Sequence, residues 1–258
     1  MTATARVLEY DFRVFRRTWR GGLVTTFLAP VLFLASMGFG LGRFVDQSGN
    51  AAGALAGVPY AAWLAPGLLA AQAMQTGGFA MTYPIMGRIV WDKTYHGMLA
   101  TPLTIPGIVL GEIGWVGLRL LVSSAVFLVV MTVFGLALSP LAVLAVPAAA
   151  LTGLAFAAPI AAFTPTQRND QGFNAIFRFG ITPLFIFSGT FFPIEQLPAI
   201  IRPIAWVTPL WHGVDLIRQL TLGRLDLPLA LVHLVVLGAF VVVGTAVALV
   251  TFRRALVK

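Results

Sequence analysis

The sequence predicts an all-α membrane protein with six transmembrane helices. Of its 258 residues, 59% are hydrophobic and only 10% are charged, whereas soluble domains carry roughly 25% charged residues. Apolar runs of about 20 residues, the length that crosses a bilayer, recur along the chain between short polar connections. Basic residues lie at the ends of these runs, where membrane topology places them. We therefore expect lipid to surround most of this chain.

Several function classes are excluded or disfavoured because the residues or motifs that they require are absent from the sequence. The chain has no cysteine, which excludes a disulfide framework, a catalytic thiol and a cysteine metal site. It has no G-x-x-x-x-G-K-[ST], HExxH or GxSxG motif, so neither its own ATP site nor two common hydrolase chemistries are expected. His96, His212 and His233 are far apart and have no obvious carboxylate partners at ligand spacing, so no metal site is predicted. The net charge of +8 is attributed to topology, and no nucleic-acid partner is predicted.

Residues 1–21 are predicted to form an amphipathic helix lying in the membrane interface. Leu8, Phe12, Phe15 and Trp19 share one helical face at spacings i, i+4, i+7 and i+11. The arginines between them are expected near anionic lipid headgroups. A signal peptide is the competing interpretation, and it is rejected because the basic region and the apolar run after it are both too long.

Six transmembrane spans are predicted after this helix. They cover residues 23–41, 60–83, 108–134, 141–163, 173–192 and 229–252. Gly38, Gly40 and Gly42 are expected to end the first span. Gly180 and Pro183 are expected to weaken or kink the fifth, which is rich in phenylalanine.

The third span carries small residues and two charges. Gly107 and Gly111 form a small-xxx-small pair that would let another helix approach closely, with scattered glycines as the alternative interpretation. Glu112 and Arg119 share a face but are about 10 Å apart along the axis, too far for a direct pair. Each is expected to meet another partner: Glu112 the N-terminal helix, and Arg119 a backbone carbonyl or the 168–170 connection. A structural role is favoured over substrate contact for Arg119.

Two segments between spans are unusual. Residues 84–106 bring charged and aromatic side chains together between prolines, which is typical of a solvated interfacial loop or of a docking helix for an energy-supplying partner; spacing alone favours the loop. Residues 193–228 are apolar, but recurring prolines and charges such as Glu195 and Asp215 argue against a continuous span. We expect short helices there that enter one leaflet and return.

The distribution of basic residues predicts that both termini and 84–106 are cytoplasmic and that 193–228 is external.

Three local motifs carry a resemblance to a known family. They are HGMLATPL at 96–103, ITPLFIFSGTFFP at 181–193 and TPLWHGVDLIR at 208–218. With the order of predicted helices, they make the chain resemble, over nearly its whole length, the permease subunits of type-2 ABC exporters, in the lipo-oligosaccharide and drug-exporter branch. The resemblance implies a transport subunit, not an enzyme, in the bacterial cytoplasmic membrane. It implies outward movement of an amphipathic substrate: a lipid-linked saccharide, a glycolipid or a drug.

The resemblance also implies partners and sites. A separate ABC ATPase in two copies would hold ATP and Mg, a second permease copy would complete a homodimer, and no cofactor is expected on this chain. The segment 84–106 would be the ATPase-coupling helix, with the residues Arg88, Trp91, Asp92, Lys93, Tyr95, His96, Met98 and Leu99. His96 stands where many members have a glutamate, a departure that concerns partner contacts more than the fold. Pathway candidates are Phe27, Phe177, Arg178, Phe185 and Phe187.

Two other function classes stay open. A membrane-embedded enzyme acting on lipid-linked substrates would need a polar cluster at one membrane face, for which Glu195, His212 and Asp215 are the external candidates. An ion-coupled secondary transporter would show internal repeats. No convincing repeat relates residues 23–134 to residues 141–252.

Overall fold

The computed structural model describes residues 3–47, 55, 57–200 and 202–257, and all regular secondary structure in these ranges is helical. Three of the described elements are long and apolar enough to cross a membrane: Ile105–Val133, Pro140–Thr166 and Leu227–Leu256, with mean hydropathies of 2.2, 2.1 and 2.6. The prediction of an all-α membrane protein is confirmed, whereas the count of six spans stays a prediction.

The described α-helices are numbered in chain order. They are α1 (Ala3–Leu34), α2 (Arg43–Gln47), α3 (Tyr60–Ala80), α4 (Tyr83–Met86), α5 (Thr94–Leu99), α6 (Ile105–Val133), α7 (Ala145–Phe163), α8 (Gln171–Ala175), α9 (Thr182–Phe187), α10 (Arg202–Val207), α11 (Pro209–Leu222) and α12 (Leu227–Leu256). Wider π-helical turns occupy Ala35–Gly42, Gly87–Trp91 and Ile176–Ile181, and short 3₁₀ turns occupy Pro140–Leu144, Thr164–Thr166 and Ile194–Gln196.

The residues predicted as an interfacial helix and a first span belong to one long helical element, and the position of the membrane surface along it stays a prediction. The helix α1 runs unbroken from Ala3 to Leu34, and the π-helical turn and α2 continue it to Gln47. Helical backbone therefore continues through Gly38, Gly40 and Gly42, and their prediction as the end of the first span stays a prediction. In an apolar environment every backbone hydrogen bond is valuable, so a wider helical turn is favoured over a broken one.

The helix α7 is the centre of the bundle. It packs against α12, α3, α6 and α11. In Pro140–Thr166, which contains α7, 61% of the most apolar 18 residues are buried, whereas the corresponding share in Leu227–Leu256 is 17%. Its buried residues include Ala148, Ala149, Ala157 and Ala158, whose small side chains let neighbouring helices approach closely. The core thus runs along α7, and α12 has most of its surface free for lipid.

The contact between α1 and α6 depends on two glycines. A Cβ atom on Gly111 would lie 2.6 Å from Cβ of Val7, and one on Gly107 would lie 2.5 Å from Cβ of Ala3. Neither position has room for a side chain, because these distances are far below van der Waals contact. The small-xxx-small interpretation of this pair is confirmed.

The segment from residue 193 to 228 consists of short helices, as predicted. A 3₁₀ turn and α10 precede α11, which ends at Gly223 in the left-handed conformation with φ of 69°. The guanidinium of Arg202 donates to the carbonyl oxygens of Leu197, at 2.9 Å, and of Glu195. The helix α11 packs on α3 and α7, so this segment is attached to the bundle. How deeply it enters a leaflet stays a prediction.

Candidate functional site

The charged segment between α3 and α6 folds as two short helical pieces. Pro84 lies in the first turn of α4, where proline is well tolerated. The π-helical turn follows and closes where the Asp92 amide donates to the Gly87 carbonyl at 2.8 Å. Lys93 then adopts a left-handed conformation with φ of 51°, which ends the first piece and redirects the chain into α5.

One side of this segment faces outward. The Trp91 side chain is 63% exposed, and Asp92, Lys93 and His96 are exposed beside it. A large exposed aromatic side chain among charged residues is typical of a protein interaction surface. We call these four residues the outer face.

The opposite side of the segment is held inside the bundle. The Arg88 guanidinium donates from Nη2 to Oδ1 of Asp11 at 2.6 Å and from Nη1 to Oε1 of Glu112. The side chains of Asp11 and Glu112 are 1% and 6% exposed, and that of Arg88 is 20% exposed. One cation therefore joins α1, the charged segment and α6. We call Asp11, Arg88 and Glu112 the Arg88 cluster.

The prediction for the partner of Glu112 is thus partly wrong. Glu112 was expected to reach the N-terminal helix directly. It binds Arg88 instead, and the N-terminal helix joins the cluster through Asp11 on the other side of the same guanidinium. A carboxylate from α1 and one from α6 share this cation because neither has another basic side chain as a salt-bridge partner among the described residues.

Tyr95 lies against the Arg88 cluster. It is fully buried, its ring centroid is 6.0 Å from the Arg88 guanidinium carbon, and its ring is 5.9 Å from that of Phe252. Burial, followed by the charge of Glu112, raises the pKa of the Tyr95 hydroxyl well above its usual range. Burial alone would lower the pKa of Arg88, but Glu112 and its other neighbours raise it above its usual value. Arg88 is therefore a permanent cation and Tyr95 a neutral phenol.

The eight predicted coupling residues therefore divide into two groups. The outer face holds Trp91, Asp92, Lys93 and His96, whereas Arg88 and Tyr95 point into the bundle. Met98 and Leu99 are partly buried and pack against the core. The first group is available to a partner, and the others anchor the segment.

Arg119 has neither of its predicted partners among the described residues. Among the described residues, it makes no hydrogen bond to a backbone carbonyl and no hydrogen bond or salt bridge to residues 168–170. The charge that acts on it is that of Asp11. Its guanidinium lies in a groove between α1, α3 and α6.

A second polar cluster joins α11 and α12. Nδ1 of His212 lies 2.8 Å from Nδ1 of His233, and Nε2 of His233 lies 2.9 Å from Oδ2 of Asp215. The Gln219 amide also donates to Oδ2 of Asp215, at 2.7 Å. Since the carboxylate only accepts, Nε2 of His233 donates to Asp215. We call His212, His233, Asp215 and Gln219 the histidine cluster.

The expectation that the histidines lack carboxylate partners is therefore wrong for His233. The turn between α11 and α12 brings residues 18 and 21 positions apart into contact, which linear spacing does not reveal. Burial and the neighbouring His233 lower the pKa of His212. Burial alone would raise the pKa of Asp215, but hydrogen bonds from His233 and Gln219 lower it. His233 is fully buried, so this cluster offers little access to a lipid-linked substrate, and Glu195 lies exposed outside it.

The guanidinium of Arg218 on α11 has hydrogen-bond and aromatic partners within the helical bundle. Its guanidinium carbon is 3.7 Å from the centroid of the Trp63 ring. It also donates to the carbonyl oxygens of Trp63, at 3.2 Å, and of Gly189, at 2.9 Å. A desolvated cation–π contact of this kind stabilises by about 2 kcal/mol. Arg218 thus fixes α11 to α3.

The predicted pathway residues have different surroundings. Phe177 stacks on Phe79 with centroids 4.2 Å apart, and Phe185 meets the edge of Phe191 at 4.9 Å. Phe187 is 40% exposed. Arg178 is also exposed, with its guanidinium carbon 5.8 Å from the ring of Phe179. Phe27 lies outside the described side chains, so a shared pathway surface stays a prediction.

Sequence reasoning missed the roles of Asp11, His233 and Gln219 in these clusters, and the role of Trp63 beside Arg218. Asp11 is one of only two acidic residues among the arginines of the N-terminal helix, a signal that could have marked it as a buried partner. His233 is a histidine in the middle of an apolar run, which also suggests a buried polar contact. Trp63 gives no sequence signal of its role, because its contact to Arg218 spans 155 residues.

Comparison with known proteins identifies the family. Residues 2–222 match the ABC-2 type transporter family. The chain is 34% identical over 254 residues to "Nodulation protein J" of Rhizobium leguminosarum bv. viciae, covering 95% of this chain and 94% of that protein. It is 30% identical over 255 residues to "Nodulation protein J" of Neorhizobium galegae, covering 98% and 93%. It is 33% identical over 218 residues to the protein of that name from Sinorhizobium fredii, covering 82% and 80%.

These matches agree with the apolar helices and confirm the family expected from the sequence motifs. They cover both the charged segment and the histidine-bearing helix α11. This chain belongs to the ABC-2 type transporter family, and it is a transmembrane permease subunit of an ABC exporter.

Proposed function

We propose that this permease is driven by a separate ATPase that docks on the outer face of the charged segment. The observation that carries the proposal is the two-sided character of that segment. Trp91, Asp92 and Lys93 are exposed, while Arg88 on the other side joins α1 and α6. Movement imposed on the outer face would therefore be passed to two long helices through one partly buried cation.

The assembly proposed is a pair of permeases with two ATPase subunits. ATP and Mg would bind to the ATPases, and this chain would hold no cofactor. The permease would cross the bacterial cytoplasmic membrane six times as one domain, with both termini in the cytoplasm, residues 1–21 at the interface and residues 193–228 outside. Charge distribution supports this orientation, and three described helices of sufficient length support the spanning count in part.

The proposed cargo is an amphipathic molecule, and a lipo-oligosaccharide is favoured over a drug or another glycolipid. Support comes from relatives named "Nodulation protein J" that match 82% to 98% of this chain and from the resemblance of the motifs to the lipo-oligosaccharide branch. The phenylalanines of the fifth predicted span would contact the lipid part of such a cargo.

The test is co-purification with candidate ATPase subunits. The tagged permease is compared with a charge-reversed variant, Asp92→Lys with Lys93→Glu. We expect the wild type to retain an ATPase and the variant to retain at least about tenfold less, the loss expected when charge-assisted contacts at an interface become repulsive. Arg168→Glu with Asp170→Lys is the matched control, because it reverses two charges in the other connection predicted to be cytoplasmic and should leave binding unchanged. Equal recovery with the Asp92/Lys93 variant would refute docking on the outer face.

A further inference from the structure

A groove opens on the surface of the helical bundle between α1, α3 and α6. It has a volume of about 190 Å³, which is smaller than the pockets that enclose drug-sized ligands. Such a groove can hold a headgroup and the first part of a chain, but not a whole amphiphile. Its walls include Phe12 and Trp115, and its polar residues are Gln72, Thr76, Ser123 and Arg119.

We infer that this groove binds the phosphate headgroup of an anionic phospholipid through Arg119. The guanidinium belongs to a transmembrane helix and is exposed in the groove. Among the described side chains no carboxylate lies within salt-bridge distance of it, and the charge of Asp11 acts on it only from a longer distance. A cation at membrane depth is costly without an anionic partner, and a guanidinium binds phosphate with two parallel hydrogen bonds.

The remaining polar side chains of the groove suit a headgroup. The Gln72 amide and the Thr76 hydroxyl are 3.5 Å apart, a long contact that leaves both groups with hydrogen-bonding capacity to spare. Ser123 lies one helical turn from Arg119 on α6. Phosphate oxygens and glycerol hydroxyls would thus meet a cation and neutral polar groups, without an opposing carboxylate in the lining.

The apolar side of the groove continues along α6 in the direction an acyl chain would take. Leu118 and Val122 are 50% and 55% exposed, and Val126 follows one turn later. The rise from Arg119 to Val126 is about 10 Å. At the other end, Phe15 meets the edge of Trp115 with ring centroids 5.7 Å apart, so two aromatic rings close the groove there.

The charge of α1 favours an anionic lipid over a zwitterionic one. Arg6, Arg16 and Arg17 are exposed on the helix that forms one wall of the groove. Basic residues at a membrane surface attract anionic lipids. The groove therefore opens where such lipids would gather, and Arg119 would fix one of them.

The test measures lipid retention by the whole chain, purified in detergent and exchanged against phosphatidylglycerol or phosphatidylcholine, with native mass spectrometry as readout. We expect phosphatidylglycerol to be retained preferentially. The preference should fall at least about tenfold in Arg119→Gln, the loss of a charge-assisted hydrogen bond, and less in Arg119→Lys. Arg168→Gln, at an exposed position outside the groove, is the matched control and should keep the preference. Val122→Trp fills the apolar end without removing charge and should also release the lipid.

Three results would overturn the inference. Arg119→Gln could retain phosphatidylglycerol like the wild type. Inorganic phosphate could displace the lipid at equal concentration, which would indicate an anion site without lipid recognition. Arg119→Gln or Val122→Trp could change the oligomeric state in size-exclusion chromatography with lipid retention unchanged, which would assign the groove to an interface between copies of this chain. None of these measurements depends on an ATPase or on a cargo.

Discussion

Arg88 is the residue on which the charged segment depends most. It is the one cation between two carboxylates that are 1% and 6% exposed. Replacing an entire buried ion cluster with neutral side chains is often nearly neutral for stability, whereas removing one partner leaves an uncompensated buried charge. The Arg88 cluster can therefore be separated experimentally from the packing around it.

Arg88→Met should be the most damaging single change in this cluster. It leaves two buried carboxylates facing each other, so we expect a loss of about 3–5 kcal/mol in unfolding free energy. Glu112→Gln should cost less, since Asp11 still balances Arg88. The triple variant Asp11→Asn, Arg88→Met, Glu112→Gln should recover most of the loss, measured by denaturant unfolding in detergent. If the single Arg88 variant is as stable as the triple, the cluster is not a closed ionic unit.

The histidine cluster should make the stability of the folded protein depend on pH. The folded-state pKa of His212 is lowered. The stability that its neutral side chain gives to the fold is therefore fully present above about pH 6.5, the pKa of histidine in the unfolded chain. It is lost as the pH falls and the unfolded chain binds protons first. The pKa of Asp215 is also lowered, and its contribution is lost at more acidic pH, below about 4.

We therefore expect the melting temperature in detergent to fall between pH 7.5 and pH 5. The variant His212→Gln should show a smaller fall, because it removes the group that takes up the proton. His96→Gln, at an exposed position, serves as control and should behave like the wild type. A pH profile that is identical in all three proteins would remove His212 as its cause.

At the scale of elements, the α1–α6 contact determines whether the Arg88 cluster can form. Asp11 lies one turn beyond Val7 on α1, and Val7 contacts Gly111 next to Glu112. Displacing α1 from Gly111 would therefore move Asp11 away from Arg88. The close approach of the helices and the ion cluster are two parts of the same interface.

Gly111→Ala tests this contact. The added Cβ would lie 2.6 Å from Cβ of Val7, a branched side chain with little freedom, whereas at Gly114 it would lie 3.7 Å from Cδ2 of Leu8. We expect Gly111→Ala to cost about 1–3 kcal/mol, as overpacking does, and Gly114→Ala to be nearly neutral. Cross-linking between α1 and α6 should decrease in the first variant only. Equal stability of the two variants would contradict the proposed helix contact.

Local patterns predicted the existence of the elements better than their ends. The local sequence pattern indicated the long helices through the length of the apolar runs and the glycine pair at 107 and 111 through its spacing, because both signals are contained in neighbouring residues. It could not predict the π-helical continuation at Ala35–Gly42, where the environment favours an unbroken helix. It also could not pair Asp11 with Arg88 or His212 with His233, because these contacts depend on how distant helices pack.

At the scale of the whole molecule, the absence of cysteine makes the six-span topology directly testable. Single cysteines at Asp92 and Arg168 should react with a membrane-impermeant maleimide only after the cytoplasmic side is opened. Single cysteines at Ala137 and Glu195 should react from outside in intact cells. Labelling of Asp92 and Glu195 from the same side would contradict the proposed number of crossings.

Arg88 is proposed to transmit ATP-driven movement from the outer face to α1 and α6. The most direct measurement is the number of cargo molecules transported per ATP hydrolysed, in vesicles containing the permease and its ATPase. We expect Arg88→Met, and also the stable triple variant, to bind the ATPase through the intact outer face and to hydrolyse ATP, but to transport at least about tenfold less cargo per ATP. Wild-type transport per ATP in the triple variant would contradict coupling through this cluster.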